Sequence, residues 1–274
     1  MTFISFMGAV EIGLIYALVA LGVLISFRVL DFPDLTADGS FPLGGVVAAV
    51  MIVGGYNPWV ACLCAALAGA GAGLLTAWLN VRLGILQLLA SILTMIALYS
   101  INLRIAGAPN VPLLGETTVF SSLVTEDNAV WMQPLVLGVI VLIAMIALTW
   151  FFNSQIGLAL RATGANPRMA RAQGVSTDRL TLFGMALSNA LIALGGALYA
   201  QSQGSADVNM GVGTIVIGLA AVIIGETLIP SRIMRTVIIA TVLGAVVYRL
   251  FIALALNSDF IGLKAQDLNL ITAV

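Results

Sequence analysis

Stretches of about 20 residues with almost no charge recur along this 274-residue chain, and they decide what it can become. Reading apolar runs between polar breaks predicts full spans at 6–27, 58–79, 85–105, 131–152, 180–201 and 237–256. Two shorter runs, 41–53 and 211–225, fall below full length. A polar stretch follows Asn257, and residues 268–274 have the composition of the opening turns of a ninth span. Charged residues make up only 8% of the chain, against roughly 25% in soluble domains. The bilayer is the solvent that matches this surface. The expectation is an all-α integral membrane fold of eight or nine helices, in one transmembrane domain over residues 1–274. The first run is too long for a signal peptide core and lacks a basic flank, so it reads as a span.

Arginines orient the set. Arg161, Arg168, Arg171 and Arg179 lie between the fifth and sixth full or short spans in order, which assigns that segment to the cytoplasm. Alternation then places Arg28, Arg82, Arg232 and Arg235 on the same side. The segment 107–130, with Glu116, Glu126, Asp127 and no base, falls outside. So do the N-terminus and residues 257–267, which hold Lys264, the single lysine.

Several function classes lose their chemistry here. Net charge is −1 and there is no basic patch, so nucleic acid is not an expected partner. Histidine is absent, which removes the usual proton shuttle and commonest metal ligand. Cys62 and Cys64, two apart on a helix, point to different faces and read as thiols in an apolar run, not a metal pair. No nucleophile–base pairing suggests an enzyme. No G-x-x-x-x-G-K-[ST] phosphate loop is present, so no nucleotide, metal or other cofactor is expected on this chain.

Residues 13–55 and 188–226 share an order of features. Each has a span with an Ala-Leu-rich core, a polar break containing Asp, then a short Gly-rich apolar helix. The first begins outside and the second inside, as in an inverted-topology repeat. The first break carries Arg28, Asp31, Asp34 and Asp38 beside Pro33 and Pro42. Polar backbone survives at membrane depth only in protein or along a watery path. The alternative is an ordinary cytoplasmic loop with a proline turn. Gly69 and Gly73 form a G-x-x-x-G suited to close helix packing. Arg249 sits within a span and calls for a carboxylate or carbonyl partner, with a structural ion pair favoured.

Residues 154–179 read as two short helices around a turn. Asn166 and Pro167 suit an N-cap and first helical position, and Gly174 suits the stop. Met169, Ala170 and Ala172 give a small apolar surface between Arg168 and Arg171. Such a stub fits a groove on a soluble partner, or else lies on an anionic membrane surface.

This segment resembles the coupling-helix loop of ABC importer permeases of the branched-chain amino acid and ribose permease family. Their Gly-x-x-x-Arg-Ala … Ala-x-x-x-Gly-(Ile/Val) pattern stands here as Gly157, Arg161, Ala162, Ala170, Gly174 and Val175, with Asp178 following. Asp34-Leu35-Thr36 and Gly39-Ser40 resemble the family's Asp-Leu-Ser-x-Gly-Ser, with Asp38 as one extra residue. GLIYALVALG from Gly13 resembles the first helix of the amino-acid subgroup, some members of which carry aromatic amino acids. The resemblance implies a bacterial inner-membrane permease, N-terminus outside. It implies two ATP-binding cassette subunits, which hold ATP and Mg²⁺, an extracytoplasmic substrate-binding protein, and a second permease copy set in membrane lipid. A near-complete set of spans in one chain favours a homodimer. Gly157, Arg161, Ala162, Asn166, Pro167, Arg168, Met169, Ala170, Arg171 and Gly174 would couple to the ATPase. Asp34, Thr36, Asp38 and Ser40, with Asp207 and Asn209, would border the translocation path. An ion-coupled secondary transporter would use the same inverted repeats, with Asp31, Asp34 and Asp38 as coupling groups, but has no need of the coupling segment. A channel lacks a filter-like motif.

Overall fold

The computed structural model describes residues 3–121 and 129–257, so Glu126, Asp127, Lys264 and the expected ninth span lie outside the described residues. Six described helices are long and apolar enough to cross a membrane. α1 (Phe3–Val23) runs on through a π-helical turn (Leu24–Val29), α3 is Pro58–Leu83 and α4 is Gln87–Ala106. α5 (Ala129–Asn153), α8 (Thr177–Gln203) and α10 (Met234–Asn257) complete the six. Two short apolar helices, α2 (Ala37–Val53) and α9 (Thr214–Leu228), match the short runs read from the sequence. The segment after α5 forms α6 (Gln155–Ala165) and α7 (Pro167–Ala172), the two short helices expected there.

Helix ends follow local chemistry. α3 opens on Asn57, whose side chain accepts from the Trp59 N–H, with Pro58 at the first position. It closes on Gly84 at φ 69°, a left-handed stop that glycine adopts without strain. α2 begins four residues before the apolar run at Phe41, because Asp38, Gly39 and Ser40 are helical although polar. Hydropathy could not see that extension.

α8 is the axis of the bundle. It packs against α1, α2 and α3, while α1 packs against α8, α9 and α10. α2 lies on α3 as α9 lies on α10. The pairing pattern is unchanged when α1, α2 and α3 are exchanged for α8, α9 and α10. Glycine makes these approaches close. A Cβ at Gly69 would collide with Ala193 and the Asn189 carbonyl, and one at Gly73 with the Met185 carbonyl. The G-x-x-x-G thus packs α3 antiparallel onto α8 of its own chain. On α2, a Cβ at Gly44 would collide with the Ala193 carbonyl.

The core joins α1, α2, α8, α9 and α10. Large side chains such as Leu67, Ile143 and Ile146 point outward and are exposed. This apolar exterior is what a bilayer solvates. A two-stranded antiparallel ribbon, not anticipated from the sequence, joins β1 (Asn110–Pro112) to β2 (Ser205–Asp207) in the register Asn110↔Asp207. It ties the segment after α4 to the segment after α8, two segments that alternation places on one side.

The glycine contacts predict opposite signs for one chemical change. Gly44→Ala forces the α2–α8 crossing apart and destabilises by about 1–3 kcal/mol. Gly71→Ala, where nothing lies within 4 Å of the added Cβ, stabilises by roughly 0.5–1 kcal/mol through helix propensity. Thermal unfolding of the two variants in detergent reads the difference; equal shifts would contradict the packing described.

Candidate functional site

Residues 30–36 turn back from the end of α1 into the bundle, so their backbone and side chains need partners there. Asp34 provides the first. One carboxylate oxygen accepts from the Thr36 N–H at 2.9 Å, the other from Asn189 Nδ2 at 2.7 Å. Ser40 Oγ donates to Asn189 Oδ1 at 2.7 Å. Thr36 and Thr76 share a hydroxyl hydrogen bond of 2.8 Å. All five residues are buried, and Asn189 sits halfway along α8. Asp34, Thr36 and Ser40, expected along a path, are knit into a closed polar network that pins the first break and α2 to α8 and α3.

Asp38 is placed differently. From the first turn of α2, its carboxylate accepts from the Ile215 N–H at 2.8 Å and the Gly213 N–H at 3.4 Å. Those groups open α9. The N-termini of the two short helices therefore meet at one carboxylate. Each carries about half a positive charge, and a carboxylate is the group that suits both. Asp38 and Asn209 line a cavity of about 410 Å³, together with Pro42, Met95, Tyr99 and Asn102. Asp207 lies in β2 and accepts from the Asn209 N–H at 2.7 Å, an Asx turn that shapes the approach to α9.

Arg28, Arg82, Arg161, Arg171, Arg179 and Arg232 line cavities at one end, while Arg104 closes α4 at the other. A cavity of about 690 Å³ is lined by Arg28, Arg161 and Arg232, and another of about 340 Å³ by Arg82, Arg171 and Arg179. Arg28 Nε meets Glu226 Oε1 at 2.6 Å, joining the ends of α1 and α9. The alternation read from the sequence put these two ends on the same side.

Of the segment between α5 and α8, Gly157, Arg161 and Ala162 lie on α6, and Gly157 rests on the backbone of Phe151 and Phe152. Asn166 caps α7, accepting from the Met169 N–H at 3.0 Å, with Pro167 at the first position. Gly174 takes φ +81° after the helix ends. Met169 is 58% exposed and Arg168 is exposed beside it, whereas Ala170 is buried. Arg171 turns back, donating to Thr177 Oγ1 at 2.7 Å and Asp178 Oδ1 at 3.2 Å. It fastens α7 to the start of α8 and leaves Arg168 and Met169 as the outward pair.

Arg249 departs from expectation. Among the described residues no carboxylate pairs with it. Its guanidinium lies 4.2 Å from the centroid of the Tyr16 ring, a cation–π contact, and Tyr16 in turn stacks on Phe41. Cys62 and Cys64 are free, and Cys62 Sγ accepts from Gln201 Nε2 at 3.1 Å. Sequence reasoning missed Asn189, Thr76 and Asn102. Each is a polar residue set inside an apolar span, and that isolation was the available signal.

Comparison with known proteins places the chain among relatives. Residues 6–270 match the family described as the branched-chain amino acid transport system permease component. The chain is 39% identical to a tyrosine transport system permease protein of Clostridioides difficile, over 96% of this chain and 85% of the relative. It is 32% identical to a nucleoside ABC transporter permease of Lactococcus lactis, over 63% of this chain and 58% of the relative. It is 29% identical to a galactose/methyl galactoside import permease of Salmonella typhimurium, over 76% and 66% respectively. No solved structure matches.

The buried network predicts a structural penalty. Asn189→Leu strands an Asp34 oxygen and the Ser40 hydroxyl in the interior, costing about 3–5 kcal/mol. Asp38→Ala removes a partly buried cap and costs about 1–2 kcal/mol. Thermal unfolding in detergent ranks the two; an Asn189→Leu protein as stable as wild type would contradict the role given to the network.

Proposed function

This chain belongs to the family of branched-chain amino acid transport system permease components, and from that premise we propose that it is the membrane subunit of an ATP-driven importer of an amino acid, branched-chain or aromatic. It sits in the bacterial inner membrane with its arginine-rich end in the cytoplasm and its N-terminus outside. ATP and Mg²⁺ belong to separate ATP-binding cassette subunits. An extracytoplasmic binding protein delivers the substrate, and a second copy of the permease completes the path. The relative named for tyrosine transport, similar along nearly the whole chain, supports the substrate class.

The observation that carries this reading is α7. It is a capped, braced stub at the arginine-rich end, with Met169 and Arg168 turned outward and exposed among the described residues. A six-residue helix is not stable alone. Asn166, Pro167, Gly174 and Arg171 hold it in place, which suits an element that takes up force from a partner. Motion at α7 then reaches α8, and α8 holds the polar network and the crossing with α2. Rocking of the two halves about the meeting point of α2 and α9 would open the path to each side in turn.

The test is a purified complex and its transport. Arg168→Glu combined with Met169→Glu places charge on the docking face and removes its apolar anchor. The expected loss is about 2 kcal/mol of docking energy, roughly 30-fold in ATPase affinity, with uptake lost and the permease still folded. If no ATPase accompanies the wild-type chain and uptake follows an ion gradient, a secondary transporter replaces this reading. Orientation is checked separately: a cysteine at Arg168 should react with an impermeant thiol reagent only from the cytoplasm, and one at Leu114 only from outside.

A further inference from the structure

Resting on the permease reading, we propose that the 410 Å³ cavity beside Asp38 receives the ammonium group of the substrate, with Asn102 as its second acceptor. The volume falls within the range of small-molecule sites. Its walls are mainly apolar, from Pro42, Met95, Ile96 and Tyr99, and no basic side chain lines it. The single formal charge is the carboxylate of Asp38.

Asn102 gives the cavity its direction. The side chain is buried, and its Nδ2 donates to the Gly39 carbonyl at 3.2 Å. That bond fixes the amide, since only the NH₂ can face a carbonyl. The opposite atom, Oδ1, has no partner. A buried acceptor without a partner costs about 1–3 kcal/mol, which a bound donor would recover. Asp38 is similarly incomplete. Its bond to Gly213 is long at 3.4 Å, so that oxygen keeps capacity for a stronger donor. Two acceptors, one of them charged, ask for a ligand that donates and carries positive charge.

An amino acid's ammonium group meets that demand, and an apolar or aromatic side chain suits the walls. Galactose and nucleosides are neutral; their hydroxyls can donate to the carboxylate but bring no countercharge to it. A ligand offering only a carboxylate is repelled. The cavity adjoins the meeting point of the two half-helices.

The experiment uses the full-length permease in lipid nanodiscs and two probes that share a ring. Tyramine keeps the ammonium and lacks the carboxylate; 3-(4-hydroxyphenyl)propionate is the reverse. Equilibrium binding of radiolabelled tyramine should be saturable and weakened about ten-fold by Asn102→Leu. Asp38→Asn, which keeps an acceptor and removes the formal charge, should weaken it as well. The propionate should not compete. Gel filtration and thermal unfolding confirm that each variant is folded. Equal binding of the two probes, or a folded Asn102→Leu protein with unchanged tyramine affinity, overturns the assignment. Uptake by cells carrying the complete system separates this from the underlying reading. Amino-acid uptake without tyramine binding sinks the subsite alone. Asn102-dependent tyramine binding without any amino-acid uptake sinks the transport reading and leaves the subsite standing.

Discussion

Irregular backbone inside an apolar bundle has to bring its own hydrogen-bond partners, and this requirement organises the rest of the molecule. Residues 30–36 reach the interior from one end and residues 204–213 approach it from the other. The first is satisfied by Asp34, Ser40 and Asn189, the second by Asp38 and by the strand pairing with β1. Because these partners sit on α8 and α2, the two short helices cannot be placed independently. The glycines that let α2 and α3 close on α8 follow from the same demand. A side chain at Gly44 or Gly73 would hold α8 too far away for Asn189 to reach Asp34.

Charge placement shows a second regularity. The carboxylates near the bundle's interior serve helix ends or buried amides, and the arginines cluster where helices terminate. Asp38 meets two positive helix ends, and Arg28 meets Glu226 where α1 and α9 finish. Arg249 stands apart, resting on the face of Tyr16 without a counter-ion among the described residues. An aromatic face is a weaker partner than a carboxylate, and here it holds the guanidinium at the α1–α10 contact.

Much of this was legible in the sequence. The eight apolar runs became six long and two short helices, and the local caps at Asn166 and Gly174 were readable because capping is decided within a few residues. The start of α2 was not, since Asp38, Gly39 and Ser40 look like loop until Asn189 and α9 are there to accept them. The ribbon between β1 and β2 joins segments almost a hundred residues apart, and nothing local marks it. Asp34 was marked by the polar break between apolar runs, and Thr36 and Ser40 by their resemblance to the family motif. Neither signal can tell a side chain lining water from one bonded to its neighbours. Only the identity of the opposing residue decides, and that residue is remote in sequence.

The fastening of α7 to α8 has a mechanical meaning. The Val175 N–H reaches back to the Ala170 carbonyl, Arg171 grips Thr177, and Ala170 is buried beneath the turn. A joint so braced has little slack. Displacement at the tip of α7 would pass to a continuous 27-residue helix instead of being absorbed in the bend. In that role the pair would work as a crank, its short arm at one end of the bundle and its long arm running through the centre. Halfway along that long arm stands Asn189, so a small rotation about the helix axis would turn its amide relative to Asp34 and Ser40 together.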